Sequence, residues 1–223
     1  MSSETPSTRE LKVLIVDDDP MVRAGLTMML DGAASLRVVG EAGDGSEVPD
    51  AVAKHHPDVV LMDLRMPRVD GIAATRRLRR GSGAPVVIVL TTFDADENVV
   101  AALRAGASGF LLKDTPPEQI VHAVHRAAAG EPILSPAILQ RLMDQKVASA
   151  EGRREALAAL AVLSERESDV AVAVARGRTN AEIASDLHLS LATVKAHVSN
   201  ILAKLGMDNR TQLAVLAHDA GLV

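Results

Sequence analysis

Along the first half of the chain, apolar residues cluster in short runs at 13–16, 38–39, 59–62, 86–90 and 109–112. Between the runs, at 21–30, 46–54, 71–79, 96–105 and 117–129, apolar positions recur at the three-to-four spacing of a helix face. Short runs of this kind suit strands buried on both faces, and intervening helices suit parallel pairing with right-handed crossovers. The pattern predicts an α/β domain with a five-stranded, doubly wound parallel sheet over residues 11–129. Pro49 fits the second helix only in its first turn, where its missing N–H costs nothing. The preceding residues, 1–10, are polar and read as a disordered lead-in.

The alternation stops at a Gly-Glu-Pro break beginning at Gly130, and a helix is expected near 136–146. Residues 130–157 have the charged, Ala-rich composition of a partly helical linker. From 158 to 223 the pattern is purely helical, and polar caps write its boundaries. Ser164 with Glu167 and Thr179 with Glu182 each match a capping box. Ser190 opens a third helix, Gly206 closes it, and Asn209 to Thr211 open a fourth. In the third helix Val194, Val198, Ile201, Leu202 and Leu205 form one apolar stripe, leaving Thr193, Ala196, Ser199, Asn200 and Ala203 opposite. Lys195, His197 and Lys204 flank that polar face. The turn at His188-Leu189 is tight enough to make the second and third helices a helix-turn-helix.

Composition narrows the classes. With no cysteine, disulfide frameworks and thiolate metal sites are excluded, which suits a reducing compartment. No apolar stretch approaches the roughly 18–20 residues of a bilayer span, and the amino terminus is not a signal peptide. The chain is therefore expected to be cytoplasmic, with no membrane partner. Phe93 and Phe110 are the only aromatics, which leaves base stacking without its platforms. Residues 158–223 carry six positive and seven negative side chains, so any nucleic-acid affinity must come from positives gathered around the third helix. Weak binding by a single copy favours a dimer on paired half-sites.

The chemistry gathers at the ends of the apolar runs. Asp17, Asp18 and Asp19 close the first, Asp63 closes the third, and Thr91 and Lys113 stand at the ends of the last two. Parallel strands deliver such residues to one sheet edge, where open α/β folds build their sites. Crowded carboxylates repel unless a cation lies among them, and hard oxygen donors suit Mg²⁺. A carboxylate nucleophile, a cation, an ammonium and a hydroxyl together suit phosphoryl chemistry. Asp19 reads as a helix cap, and His55-His56 as a solvated helix end before Pro57.

The segments VLIVDDD, LMDLRMPRVDG, LTTF and GASGFLLKD resemble a two-component receiver of the CheY-like fold. LSERE, ARGRTNAEIASDLHLSLATVKAHVSNILAKLG and NRTQL resemble a four-helix LuxR-type DNA-binding domain. Together they resemble the NarL/FixJ family of response regulators. The resemblance implies a transcription regulator rather than an enzyme, with a sensor histidine kinase, double-stranded promoter DNA and a second copy of the chain as partners. It implies Asp63 as phosphoacceptor, assisted by Thr91 and Lys113. It also implies Asp17, Asp18, Asp63 and the Arg65 backbone carbonyl as Mg²⁺ ligands, and Thr91 and Phe110 as the switch pair. Thr193, Lys195, His197, Asn200 and Lys204 would then meet DNA, and Arg65 and Phe93 would flank the path of a hydrolytic water. A haloacid-type phosphatase would need a second Asp two positions after Asp63, where Arg65 stands. A regulator working through protein contacts alone is the other alternative.

Overall fold

The computed structural model describes residues 10–33, 35–79, 83–92, 96–131, 133 and 150–223; the helix expected over 136–146 and Phe93 lie outside them. Strands β1 to β5 are Leu11–Val16, Leu36–Ala42, Val59–Asp63, Val86–Thr91 and Gly109–Leu112. Helices α1 to α5 are Pro20–Asp31, Val48–His55, Gly71–Leu78, Asp96–Arg104 and Pro117–Ala128. The strands pair in parallel in the order β2-β1-β3-β4-β5, so the chain reverses direction of winding at β1. β2 extends well past its apolar seed at 38–39. It is an edge strand whose middle residues are only half-buried, so backbone pairing with β1 from Leu36 to Ala42 defines it rather than apolar content. Pro49 sits in the first turn of α2, as its chemistry requires.

Alternate side chains of each strand enter different cores, as a period of two dictates. Val13, Ile15, Leu61, Ile88 and Leu90 meet Leu26 and Leu30 of α1 and Ile120 and Val124 of α5. Leu14, Val16, Val60 and Met62 face the other way, against Val48 of α2 and Ala74 of α3. The four β1 residues Val13 to Val16 are at most 1% exposed, which explains a run without polar interruption.

Beyond the sheet, helices α6 to α10 are Ala150–Leu160, Glu165–Ala175, Asn180–Asp186, Leu191–Leu205 and Arg210–Asp219. They share a core in which Val170, Val174, Ile183, Val194, Ile201 and Leu213 are buried. To the four helices expected here, α6 adds a fifth that begins inside the stretch read as linker. It packs because Ala156 and Leu160 reach that same core. Both capping boxes form, with the Ser164 and Thr179 side chains accepting from the N3 amides. Among the described residues, no helix is long and apolar enough to cross a membrane.

The turn between α8 and α9 holds His188 at φ 55°, in the left-handed region. Side chains other than glycine cost about 1–2 kcal/mol there, while glycine loses roughly 0.5–1 kcal/mol of extra chain entropy. His188→Gly should therefore raise the stability of the helical domain by about 0.5–1 kcal/mol, read by denaturant unfolding. A loss of stability would mean that the imidazole makes a compensating contact.

Candidate functional site

β1 and β3 adjoin at the point where the winding reverses, and their ends bring Asp17 and Asp63 together. Asp17 and Asp63 are buried, whereas Asp18 is exposed at the rim. One carboxylate oxygen from each of the three lies within 4.8 Å of the others. Lys113, at the end of β5, places Nζ 2.5 Å from Asp17 Oδ2 and 3.3 Å from Asp63 Oδ1. Its backbone N–H donates to the Thr91 carbonyl at 2.9 Å, which ties the β4 and β5 ends together. Thr91, the last residue of β4, is 3% exposed.

Burial pushes the Asp63 carboxyl above the usual carboxylate range; Lys113 opposes this and the charge of Asp17 reinforces it. Burial works against the Lys113 charge too, but Asp17 and Asp63 outweigh it and hold the ammonium above its ordinary range. Asp17 and Asp63 thus share one ammonium, with the Asp18 carboxylate beside them. Asp17 Oδ2 is buried without an aligned hydrogen bond; its contact with Lys113 is ionic, and a lone pair is left. An anionic excess with a buried acceptor suits a divalent cation.

The loop geometry has local causes. Asp19 caps α1, its side chain accepting from the Met21 N–H at 2.8 Å, as expected of it. The Asp19 N–H donates to Asp17 Oδ1 at 3.0 Å. Arg23 was missed by the sequence reading. Its Nη1 donates to the Asp17 carbonyl at 2.8 Å, while Nε pairs with Glu41 at 3.0 Å. After β3 the chain turns into α3 through Gly71, where any Cβ would stand 2.0 Å from the Asp63 carbonyl oxygen. Arg65, Met66 and Pro67 line a pocket with Asp18 at its edge. Phe110 is 2% exposed and packs with Leu64, Val89, Val99 and Leu103. His56 ends α2 in the left-handed region at φ 46°, and the His55 ring rests against Gly40.

On α9, Thr193, Lys195, Asn200 and Lys204 are exposed and His197 is half-buried. The Thr193 hydroxyl lies 2.7 Å from the Ser190 cap, and Lys204 Nζ lies 2.7 Å from Glu167. That ammonium and the Ser164 hydrogen bonds hold the Glu167 carboxyl down from 4.5 to about 2. A depressed pKa stabilises the fold above 4.5, and the contribution is lost as pH falls from about 4.5 to about 2. Glu167→Gln should flatten this acid limb in a pH series of melting curves. An unchanged limb would place the acid sensitivity elsewhere.

The two units touch through the start of α10 and the α4–β5 turn. Asn209 Nδ2 donates to the Gly106 carbonyl at 2.8 Å, and the Thr211 hydroxyl donates to the Ser108 carbonyl at 2.9 Å. Arg104 Nη2 donates to both Asp219 carboxylate oxygens, at 2.9 and 3.0 Å. Val215 of α10 enters the cluster around Phe110. Lys195 and Ser199 of α9 line the cleft between the units, opposite Arg79 and Glu131.

An acidic, lysine-sealed pocket at the sheet's switch point, joined to a helix-turn-helix, defines a receiver coupled to a DNA-binding domain. The family description "response regulator receiver domain" matches residues 13–125, and that of the luxR family of bacterial regulatory proteins matches residues 161–217. The transcriptional regulatory protein LiaR of Bacillus subtilis (strain 168) is 40% identical over 213 residues, spanning 96% of this chain and 99% of LiaR. The crystal structure of ChrA, a response regulator of a heme-sensing two-component system, gives a TM-score of 0.53 at 37% identity, covering 96% of this chain and 99% of ChrA. A structure of RcsB dimers bound to DNA gives 0.56 at 26% identity, covering 96% of this chain and 100% of RcsB. The chain belongs to the two-component response regulators, with a receiver domain followed by a LuxR-type DNA-binding domain. Its family is one of transcription regulators, not enzymes.

Proposed function

We propose that a sensor histidine kinase transfers a phosphoryl group to Asp63, and that this transfer controls dimerisation and promoter binding. The observation that carries the reading is the convergence of Asp17, Asp18 and Asp63 within 4.8 Å beside the Lys113 ammonium. Asp17, Asp18, Asp63 and the Arg65 carbonyl would hold Mg²⁺, which supplies charge neutralisation at the transferring oxygens. An Asp63 carboxylate oxygen attacks phosphorus, a P–O bond forms, and the P–N bond to the donor imidazole breaks, its electrons and a proton going to nitrogen. Lys113 then pairs with the phosphoryl oxygens. Burial raises the Asp63 pKa, and a metal cation beside the carboxylate would favour its ionised, nucleophilic form. Incubation with acetyl phosphate should therefore add one phosphoryl group by intact mass with Mg²⁺ and none in excess chelator. An adduct in chelator would overturn the reading.

Thr91 and Phe110 form the switch. Thr91 turns toward the new phosphoryl group, and the vacated space lets the Phe110 cluster repack, which reaches α10 through Val215. Unphosphorylated, the chain is a monomer whose α9 faces the receiver with Lys195 and Ser199 in the cleft. Released, two copies dock Thr193, Lys195, His197 and Asn200 on paired half-sites. Lys204 meets phosphate there after leaving Glu167. Lys195→Ala should weaken binding to all sequences and lower the salt slope by roughly one unit, leaving phosphorylation intact. Fluorescence anisotropy across a salt series checks this, and an unaltered slope would remove Lys195 from the interface.

A further inference from the structure

Among the described residues of the receiver, Asp44 is the one buried carboxylate outside the acidic pocket, at 2% exposure. It sits between β2 and α2, away from Lys113. A carboxylate so placed is costly unless donors surround it. Its Oδ1 accepts from the Ser46 N–H at 2.9 Å. Its Oδ2 accepts from the Arg68 N–H at 2.9 Å and the Val69 N–H at 3.4 Å. The Arg68 guanidinium stands 3.6 Å from Oδ1, but that side chain is 65% exposed and adds little. Its partners are the Ser46 side chain and three backbone amides, and two of those amides belong to the loop that follows Asp63.

That loop, 64–70, lacks regular structure of its own, and Pro67 interrupts it. At its far end the Gly71 N–H donates to the Leu64 carbonyl at 3.0 Å, and the Gly45 N–H donates to the Val69 carbonyl at 3.2 Å. Gly45 is needed for that approach, since a Cβ there would stand 2.4 Å from the Val69 oxygen. Asp44 and Gly45 therefore clamp the loop from the β2–α2 turn, while β3 holds its beginning. Arg65 lies between the two anchors, three residues before the clamped amide of Arg68.

We propose that Asp44 is a positioning residue for the metal: by clamping the Arg68 and Val69 amides it aims the Arg65 carbonyl and sets Mg²⁺ affinity. The inference rests on the reading of Arg65 as a metal ligand under the proposed function. Mg²⁺ demands near-ideal octahedral geometry, so a ligand on a loosened loop loses affinity. Outer groups that orient a ligand are typically worth 10–100-fold in metal affinity. The competing view is a plain structural staple, whose loss lowers stability and leaves the metal untouched.

The test titrates Mg²⁺ into the full chain, following backbone amide shifts by NMR, for wild type, Asp44→Asn and Asp44→Ala. The positioning role requires an apparent Kd weakened roughly tenfold or more, with the acetyl phosphate reaction rate restored at saturating Mg²⁺. Unchanged Kd in variants that melt at lower temperature overturns it. Wild type that binds no Mg²⁺ overturns the metal reading itself, a separate failure. Should neither variant fold, amide exchange in wild type decides. Slower exchange at Arg68 and Val69 on adding Mg²⁺ supports the coupling, and unchanged exchange removes it.

Discussion

Asp63→Asn should fold normally, take up no phosphoryl group, and bind promoter DNA with the same affinity whether or not a donor is present. The amide keeps the shape of the side chain but has no anionic oxygen for attack on phosphorus. Folding should not suffer. The Asp63 pKa is raised by burial, so its ionisation costs stability as pH climbs past the ordinary carboxylate value and through the raised one. Asparagine removes that cost, and the variant should lose the corresponding fall in stability with rising pH. Lys113 keeps Asp17 as a partner, so no ammonium is orphaned. Intact mass, gel retardation with and without acetyl phosphate, and melting curves read the three expectations. A phosphoryl adduct on Asp63→Asn would move the acceptor elsewhere, and a donor-dependent gain in its DNA affinity would detach the switch from this site.

Arg104→Ala combined with Thr211→Val should raise DNA affinity without any phosphoryl donor, by roughly tenfold. The buried bond from Thr211 to the Ser108 carbonyl is worth about 1 kcal/mol. The Ser108 carbonyl still accepts from the Ile133 N–H at 3.3 Å, so valine leaves it partnered. Arg104 and Asp219 form a half-exposed pair through a single guanidinium nitrogen, worth about 0.5 kcal/mol. Both contacts bridge the two units and would be lost on the proposed release, so their sum, about 1.5 kcal/mol, would shift that equilibrium by about a factor of ten. Core packing at Val215 remains, which keeps the effect partial. Anisotropy with a palindromic fragment, run beside sedimentation, separates release of α9 from dimerisation. Equal affinity for wild type and double variant would mean that these contacts do not restrain the DNA-binding domain.

The architecture was legible because its causes are local. Runs such as 13–16 and 59–62 are uninterrupted because β1 and β3 are buried on both faces, and each capping box is written within four residues. The acidic pocket was equally legible, since residues that end parallel strands must share an edge; Asp17, Asp63, Thr91 and Lys113 each follow or close a run. Where burial was partial the signal faded. In the edge strand β2, Arg37, Gly40 and Glu41 interrupt the apolar residues, so only Val38 and Val39 form a run in a seven-residue strand.

Partners chosen across the fold left no trace in the pattern. Lys204 looked like a DNA contact on a helix face, yet Glu167, thirty-seven positions away, holds its ammonium because α7 crosses α9 there. Asp44 reaches twenty-four positions to the loop that follows Asp63. Arg23 meets the Asp17 carbonyl only because α1 folds back beside β1. The sequence by itself determined the elements, their order and the chemistry at the strand ends, since periodicity and caps act over one or two turns of chain. The tertiary structure alone decided that Val215 shares a core with Phe110 and that Lys195 faces the receiver. Those contacts depend on how complete elements pack against each other, a choice that no local pattern encodes.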